Sequence, residues 1–460
     1  MGSLFGTDGV RGVANHKLTP EIAFQIGQAA GVWLKSQPNL HHRVAIGRDT
    51  RRSGPMLGAA LASGFCSAGI DAATLGFFPT GGVSYVTRTG DYGMGAVISA
   101  SHNPAPDNGI KLIAHSGTKV PAEVEAFVES HLGAELPTRP VGADLGMLAP
   151  AAGEAERYLQ WLGSLVPERL DGLKIAVDAA NGAAFELGAR LFRDLGAEVV
   201  SAGDQPDGMN INSGCGATHP AFIQELAKSH RCDLGIAFDG DADRAVFADS
   251  QGRLINGDRT MAIWCAHQMK HGELSPALVV GTVMSNGGFE SYMRSQGIQL
   301  IRVDVGDKYV AAKLRETGGK VGGEQSGHII FSDHVPTGDG LVTALMLAKV
   351  LRNEGKSAAE LYDSFENWPQ ILVNLEVERK EGWDSNSVIQ GKISEAESAL
   401  AGHGRVNVRA SGTQPILRVM VESSDCRDRD HAAGLITDAI LAELGGTVYS
   451  RVDLTHALGD

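Results

Sequence analysis

Ile175-Ala176-Val177, then Asp178-Ala179-Ala180-Asn181-Gly182, then Phe185, Leu187, Leu191 and Phe192, and last Glu198-Val199-Val200 spell a buried strand, a glycine-ended loop, an amphipathic helix and a returning strand. The spacing suits one parallel strand-helix-strand crossover, which needs about thirty residues. The pattern recurs. Val44-Ala45-Ile46 runs through Gly47-Arg48-Asp49-Thr50-Arg51-Arg52-Ser53-Gly54 into a helix carrying Leu57, Leu61 and Phe65. Leu278-Val279-Val280 turns at Ser285-Asn286-Gly287-Gly288 and resumes at Leu300-Ile301-Arg302-Val303. Three such units predict three related α/β domains. In the first, Thr19-Pro20-Glu21 marks a helix start, with Ile22, Ile26, Ala29, Ala30 and Trp33 facing a core. After Trp368-Pro369 the period changes to alternation, as in Ile371 to Val377, Val406 to Val408 and Ile416 to Val421, with helices near 388–400 and 431–444. That predicts a smaller α+β domain with an antiparallel sheet. The expected domains are 1–151, 152–253, 254–367 and 368–460.

Composition narrows the function. The chain has 460 residues, 43% apolar and 20% charged, so it can bury several cores, and its 59 glycines announce many tight loops. Forty basic against 54 acidic residues leave a formal charge of −14, which argues against nucleic acid or an anionic membrane as a general partner. An anionic substrate must then meet a locally basic site. Five scattered cysteines without a C-x-x-C pair predict neither a disulfide framework nor a structural zinc site. No basic, apolar leader precedes Phe5-Gly6-Thr7-Asp8-Gly9 and no apolar run approaches a membrane span, so a soluble, cytoplasmic protein is expected.

Ser99-Ala100-Ser101-His102-Asn103-Pro104 follows the apolar run Ala96-Val97-Ile98 and is expected to present the Ser101 hydroxyl on a tight, solvent-facing excursion, with a second turn at Asn108-Gly109. Asp239-Gly240-Asp241-Ala242-Asp243-Arg244 places three carboxylates on alternate residues beside the buried run Leu234 to Phe238. Such crowding is costly without a cation, and all-oxygen ligands suit magnesium better than zinc. An EF-hand is ruled out, because its sixth position would be Arg244 and its twelfth Ser250. Val321 to His328 is a glycine-bracketed loop whose Glu324, Ser326 and His328 suit a polyhydroxylated ligand. Arg409-Ala410-Ser411-Gly412-Thr413-Gln414-Pro415, with Arg418 behind it, offers the guanidinium, hydroxyl and backbone donors a phosphate needs. Gly6 to Gly12 and the run Arg48 to Arg52 add cations that together propose a local anion site.

These motifs, in this order over nearly the whole chain, resemble the bacterial phosphoglucosamine mutase family of the α-D-phosphohexomutase superfamily. The resemblance implies four domains around a central cleft, three similar α/β/α layered domains plus a smaller α+β C-terminal domain. It implies a phosphoryl group carried on Ser101 and one Mg²⁺ held by Ser101, Asp239, Asp241 and Asp243. Lys111 and Arg244 would stabilise the transferring group, and His102 and His328 are candidates for proton handling. Arg11, Lys308, Glu324, Gln325 and Ser326 would bind the sugar phosphate, and Arg409, Ser411, Gly412, Thr413 and Arg418 the phosphate not reacting. Gln325, Asn210-Ile211-Asn212, Cys215 to His219 and Thr282 to Asn286 resemble the glucosamine branch, with Ala217 and Gln414 departing from its pattern. The implied reaction interconverts glucosamine 6-phosphate and glucosamine 1-phosphate through a glucosamine 1,6-bisphosphate intermediate, on the route to UDP-N-acetylglucosamine. A kinase or autophosphorylation would prime Ser101, and a homodimer is possible. The alternatives are a phosphomannomutase or phosphoglucomutase, a haloacid-dehalogenase-like phosphatase with Asp239 as nucleophile, and a non-catalytic sugar-phosphate-binding regulator.

Overall fold

A computed structural model describes residues 4–6, 8–134, 139–411, 415–456 and 458. It divides into two compact units, residues 1–283 with 301–362, and residues 284–300 with 363–460.

The first sheet of the larger unit contains β1 (Val10–Val13), β2 (Arg43–Arg48), β3 (Asp71–Phe77), β4 (Met94–Ile98), β5 (Asp107–Ala114) and β6 (Leu148–Pro150), in the order β1-β5-β4-β2-β3-β6. β2 pairs in parallel with β3 and β4, and β5 runs antiparallel to β4 and β1. Helix α1 (Pro20–Lys35) begins as the sequence predicts, with the Thr19 hydroxyl accepting from the Ile22 amide. It packs Ile26, Ala30 and Leu34 onto α2 (Gly54–Ser67), whose Leu57, Leu61 and Phe65 complete a core with Val44, Ile46, Ile98 and Ile110. Gly27 and Gly64 set the close crossing of the two helices, since a Cβ on either would run into a backbone carbonyl of the other.

The second sheet, β7 (Lys174–Asp178), β8 (Glu198–Ala202), β9 (Leu234–Phe238), β10 (Ala245–Ala248) and β11 (Leu254–Ile255), has the order β11-β10-β9-β7-β8. The third contains β12 (Leu278–Thr282), β13 (Gln299–Val303, of which residues 301–303 fall in this unit), β14 (Val321–Gly323) and β15 (Ile329–Phe331). In each of the three sheets a strand of the parallel part runs directly into an antiparallel partner, making the hairpins β4–β5, β9–β10 and β14–β15. The connections of these hairpins are residues 99–106, 239–244 and 324–328. Each domain therefore delivers one sequence motif at the same topological place.

The smaller unit has a four-stranded antiparallel sheet, β16 (Gln370–Glu376), β17 (Gly404–Ala410), β18 (Ile416–Ser423) and β19 (Thr447–Asp453), in the order β17-β18-β16-β19. The helices Ser387–Ala399 and Cys426–Leu444 cover it through Ile389, Ile393, Ala433, Ile436 and Ile440. β19 was not anticipated, because its side chains are mostly exposed and carry no apolar alternation. All five cysteines are free thiols. Among the described residues, no helix is long and apolar enough to cross a membrane.

Two local expectations need correction. Asn108-Gly109 is not a turn but lies inside β5, where Asn108 pairs with Gly12 and Gly109 with Arg11. The glycine is there for space, since a Cβ would sit 3.0 Å from the Val10 carbonyl and closer still to that of Ser99. Ser101 is not solvent-facing but only 2% exposed, because the aspartate loop covers it.

Candidate active site

The loop after β4 reverses at Ser101, whose φ is 51°, and a buried network holds that left-handed backbone. The Ser101 amide donates to Ser99 Oγ (2.9 Å), and Ser99 donates to Asp49 Oδ2 (2.5 Å). Arg51, fully buried, pairs with Asp49 at 2.8 Å and donates to the carbonyls of Ser101 (2.9 Å), Asn103 (2.8 Å) and Pro104 (2.7 Å). The anion site expected from the run Arg48 to Arg52 is thereby corrected. Arg51 is spent on carbonyl oxygens, and the Arg48 guanidinium lies 4.0 Å over the Phe77 ring. Burial raises the Asp49 carboxyl, against the opposing pull of Arg51 and Ser99.

The network aims Ser101 Oγ at the second hairpin, where it donates to Asp239 Oδ2 at 2.6 Å. His102 Nδ1 is 3.3 Å from the same hydroxyl. The acidic loop is a tight turn rather than an extended segment, with Ala242 at φ 57°, and the ligand oxygens of Asp239, Asp241 and Asp243 all lie within 4.8 Å of one another. Its position is fixed from both sides: the Thr80 amide donates to the Asp241 carbonyl and the Gly340 amide to that of Ala242, both at 2.9 Å. Thr80 Oγ1 adds a 2.7 Å bond to Asp241 Oδ2.

Lys111 is central among the cations that balance this cluster. Lys111 on β5 places Nζ 3.0 Å from Asp241, 3.0 Å from Asp8 and 3.4 Å from Asp243. Burial alone would lower its pKa, but Asp241, Asp8 and Asp243 hold it well above the ordinary value. Burial and the neighbouring Asp243 and Asp241 push the Asp239 carboxyl well up. Burial works the same way on Asp243, but Lys111, His328 and Arg244 outweigh it and keep that carboxylate ionised. Asp241 Oδ1 and Asp243 Oδ1 are buried with no hydrogen-bond partner among the described residues. Three clustered carboxylates, two of them with an orphaned oxygen, are the all-oxygen donor set of a hard divalent cation, so the residues fit Mg²⁺.

The third hairpin joins the second through an isolated bridge between Arg244 and His328. A cavity of about 280 Å³ opens here, lined by Asp8, Arg11, Ser101, His102, Asp243, Arg244, Lys308, Glu324 and His328. Glu324 Oε1 accepts from the Gly306 amide, and Lys308 stands at the start of the helix Asp307–Thr317. His328 is held protonated, its pKa about 9, because Asp243 outweighs the opposing effect of burial. Gln325 and Ser326 are buried and do not line this cavity, and both Gln325 amide atoms lack a hydrogen-bond partner among the described residues.

In the smaller unit Arg409 and Arg418 face each other across β17 and β18. Burial and the second guanidinium lower the Arg409 pKa, and Arg418 Nε is buried without a partner among the described residues. Ser411 closes this hairpin by donating its amide to the Ile416 carbonyl (2.8 Å), while Gly412 and Thr413 lie outside the described residues. Like charges opposed on one sheet face are destabilising unless an anion lies between them.

The sequence reading had not assigned Asp8, Thr80, Asp49 or Asn212 to the site. Asn212 donates to the Ser101 carbonyl at 3.0 Å, from within a stretch noted only for its family character. The nearest available signal for Asp8 was its place beside Arg11 in the glycine-rich amino-terminal motif.

The chain matches four family models in order, phosphoglucomutase/phosphomannomutase α/β/α domain I (residues 2–138), domain II (156–252), domain III (256–368) and the C-terminal domain (372–434). The chain belongs to the phosphoglucomutase/phosphomannomutase family. It is 47% identical over 448 residues to the phosphoglucosamine mutase of Symbiobacterium thermophilum, covering 96% of this chain and 100% of that one. With the phosphoglucosamine mutase of Bacillus subtilis it shares 44%, covering 97% and 100%. Among solved structures it resembles a family protein of Burkholderia thailandensis with a TM-score of 0.81 at 26% identity, covering 97% and 99%. The fold also matches an Aspergillus fumigatus N-acetylphosphoglucosamine mutase with a TM-score of 0.65 at 18% identity, covering 96% of each chain. Phosphohexomutases of this family use a divalent metal, in keeping with the aspartate cluster.

Proposed function

We infer that this protein interconverts glucosamine 6-phosphate and glucosamine 1-phosphate through a phosphorylated Ser101. The observation that carries the reading is a serine hydroxyl 2.6 Å from the first of three clustered aspartates, on a loop held by fully buried Arg51. Eight relatives at 43–47% identity are named phosphoglucosamine mutases, which supports the substrate class.

Phosphoserine 101 gives its phosphoryl group to the hydroxyl of the bound sugar phosphate, leaving a glucosamine 1,6-bisphosphate; the other phosphate, once presented to Ser101, returns to the enzyme. Mg²⁺ held by Asp239, Asp241, Asp243 and an oxygen on Ser101 would supply charge neutralisation at the phosphoryl oxygens. Lys111 keeps Asp243 ionised and holds the Asp241 side chain in place, and Arg244 reaches the cavity on the side of the transferring group. His102, whose Nδ1 is 3.3 Å from Ser101 Oγ, and His328 are the histidines placed to hold or pass the proton. Arg11, Lys308 and Glu324 bind the sugar phosphate from the cavity wall. Gln325 and Ser326 support the recognition loop from behind, since both are buried outside the cavity lining. Arg409, Ser411, Gly412, Thr413 and Arg418 hold the phosphate that is not transferred. The reading places domain ends near residues 151, 253 and 367, the serine loop in the first domain, the metal loop in the second, the recognition loop in the third and the phosphate loop in the fourth. Cytoplasmic residence follows from the substrate, and initial phosphorylation of Ser101 by a kinase or by the enzyme itself belongs to the same proposal.

The test is turnover with Mg²⁺ on the 6-phosphates of glucosamine, glucose and mannose, alongside Ser101→Ala. Glucosamine phosphate should be the preferred substrate, and the variant should retain its fold but form no phosphoenzyme. Substantial turnover by Ser101→Ala would reject the mechanism, and preference for mannose or glucose phosphate would move the chain to another branch of the family.

A further inference from the structure

A second group of ligating side chains lies in the larger unit, outside the lining of the Ser101 cavity. His267 stands in the last turn of the helix Gly257–Lys270, and His271 is that helix's cap, one turn further on the same face. Their rings lie 4.5 Å apart between centroids. Glu354 is the last residue of the helix Gly340–Glu354. Its Oε1 is 2.7 Å from His267 Nδ1 and 3.6 Å from His271 Nε2, and ligand atoms of all three residues fall within 4.8 Å of one another.

We propose that His267, His271 and Glu354 form a second metal site, which takes a divalent transition ion of the zinc kind and leaves Mg²⁺ to the aspartates. Two imidazoles at i and i+4 with one carboxylate form a three-ligand zinc set that keeps a fourth position open. A cleft of about 440 Å³, lined by both histidines together with Glu273, Lys320, His334 and Lys349, gives water access to that position. Lys270 binds the other oxygen of Glu354 at 2.6 Å, which turns Oε1 towards the rings as an outer partner orients a ligating carboxylate. Both helices end at the cluster, and their carbonyl ends favour a cation.

Tetrahedral zinc with bonds of about 2.0–2.1 Å places its donor atoms roughly 3.3 Å apart. The 3.6 Å separation already suits this geometry. The 2.7 Å separation is that of a hydrogen bond, so the ion replaces the proton between His267 and Glu354 and the ring retreats by about half an ångström. Mg²⁺, which prefers six oxygens, is a poor match for two imidazoles.

The full chain, kept in excess Mg²⁺, is dialysed against micromolar Zn²⁺ and its zinc content measured, for wild type, His271→Ala and Glu354→Gln. The wild type should hold one Zn²⁺ per chain, each variant should bind it at least about tenfold more weakly, and Mg²⁺-dependent turnover should be unchanged. Should Glu354→Gln fail to fold, His271→Ala, whose side chain is 47% exposed, decides alone. A wild type without Zn²⁺, variants that bind it undiminished, or a loss of turnover paralleling the loss of Zn²⁺ would each overturn the assignment.

Discussion

Gly240 stands between the serine loop and the metal loop, and replacing it with alanine tests whether their close approach governs the chemistry. A Cβ built on Gly240 would lie 2.8 Å from Asn212 Nδ2, 3.0 Å from Ile211 Cδ1 and nearer still to the Ser101 carbonyl oxygen. Ordinary contact begins at 3.4 Å, so Asn212 alone would have to move by 3.4 − 2.8 = 0.6 Å. The Ser101 carbonyl would need about 1 Å, and it cannot yield cheaply, because Arg51 and Asn212 both donate to it. The alanine must therefore push the aspartate loop away from Ser101, stretching the 2.6 Å contact between Ser101 Oγ and Asp239. A misplacement of about 1 Å costs roughly 100-fold in rate, equivalent to about 2.7 kcal/mol of transition-state stabilisation. Gly240→Ala should accordingly lose about two orders of magnitude in kcat/KM for the sugar phosphate, with slower phosphorylation of Ser101 and a cooperative melting transition retained. Activity within threefold of wild type would show that the two loops need not be held this closely, and the reasoning would fail.

Arg51→Met should destabilise the protein by about 3–5 kcal/mol in urea denaturation, because it leaves buried Asp49 uncompensated and three loop carbonyls short of donors; a change below 1 kcal/mol would contradict that account. Arg418→Ala removes a buried donor facing Arg409 and should raise KM by roughly tenfold to 100-fold, matching a lost charge-assisted bond of about 1.5–3 kcal/mol, while kcat changes little; steady-state kinetics showing the reverse split would argue against phosphate binding there. Asp178 provides a pH signature, since burial raises its pKa to about 6 from 3.8, against the pull of the Gly216 and Ala180 amides. A carboxyl raised on folding favours the native state while protonated, so the stability of wild type minus that of Asp178→Asn should fall as pH rises from about 4 to about 6 and stay level outside that window. Thermal melts in which this difference is flat or rises would refute the assignment.

Much of the site was legible because its groups lie close together in the chain: three aspartates within five residues, a serine behind an apolar run, two arginines flanking a glycine-containing turn. The strand-helix-strand units were readable for the same reason, their signal being periodic over about thirty residues. What the sequence hid depends on distant partners. Nothing near Asp8 shows that it shares Lys111 with Asp241, and nothing near Thr80 shows that it bonds a carboxylate 161 residues away. Arg51 looked like a free surface cation because its partners are carbonyl oxygens, which any sequence possesses. Asn108-Gly109 misled for a different reason, as this dipeptide is a strong hairpin signal whereas here the glycine makes room for neighbouring strands. The pairing of His267 with Glu354 spans 87 residues, and only the i, i+4 spacing of the two histidines lies on the surface of the sequence.

The three hairpin tips have separable duties. On the proposed function, the first would offer the nucleophile, the second gathers negative charge for a cation, and the third lines the wall that the sugar would touch. Because every tip hangs from its own sheet and its own core, the third can be rewritten for a new sugar while the other two keep transferring phosphate unaltered. A scaffold of this kind can change its menu without relearning its chemistry.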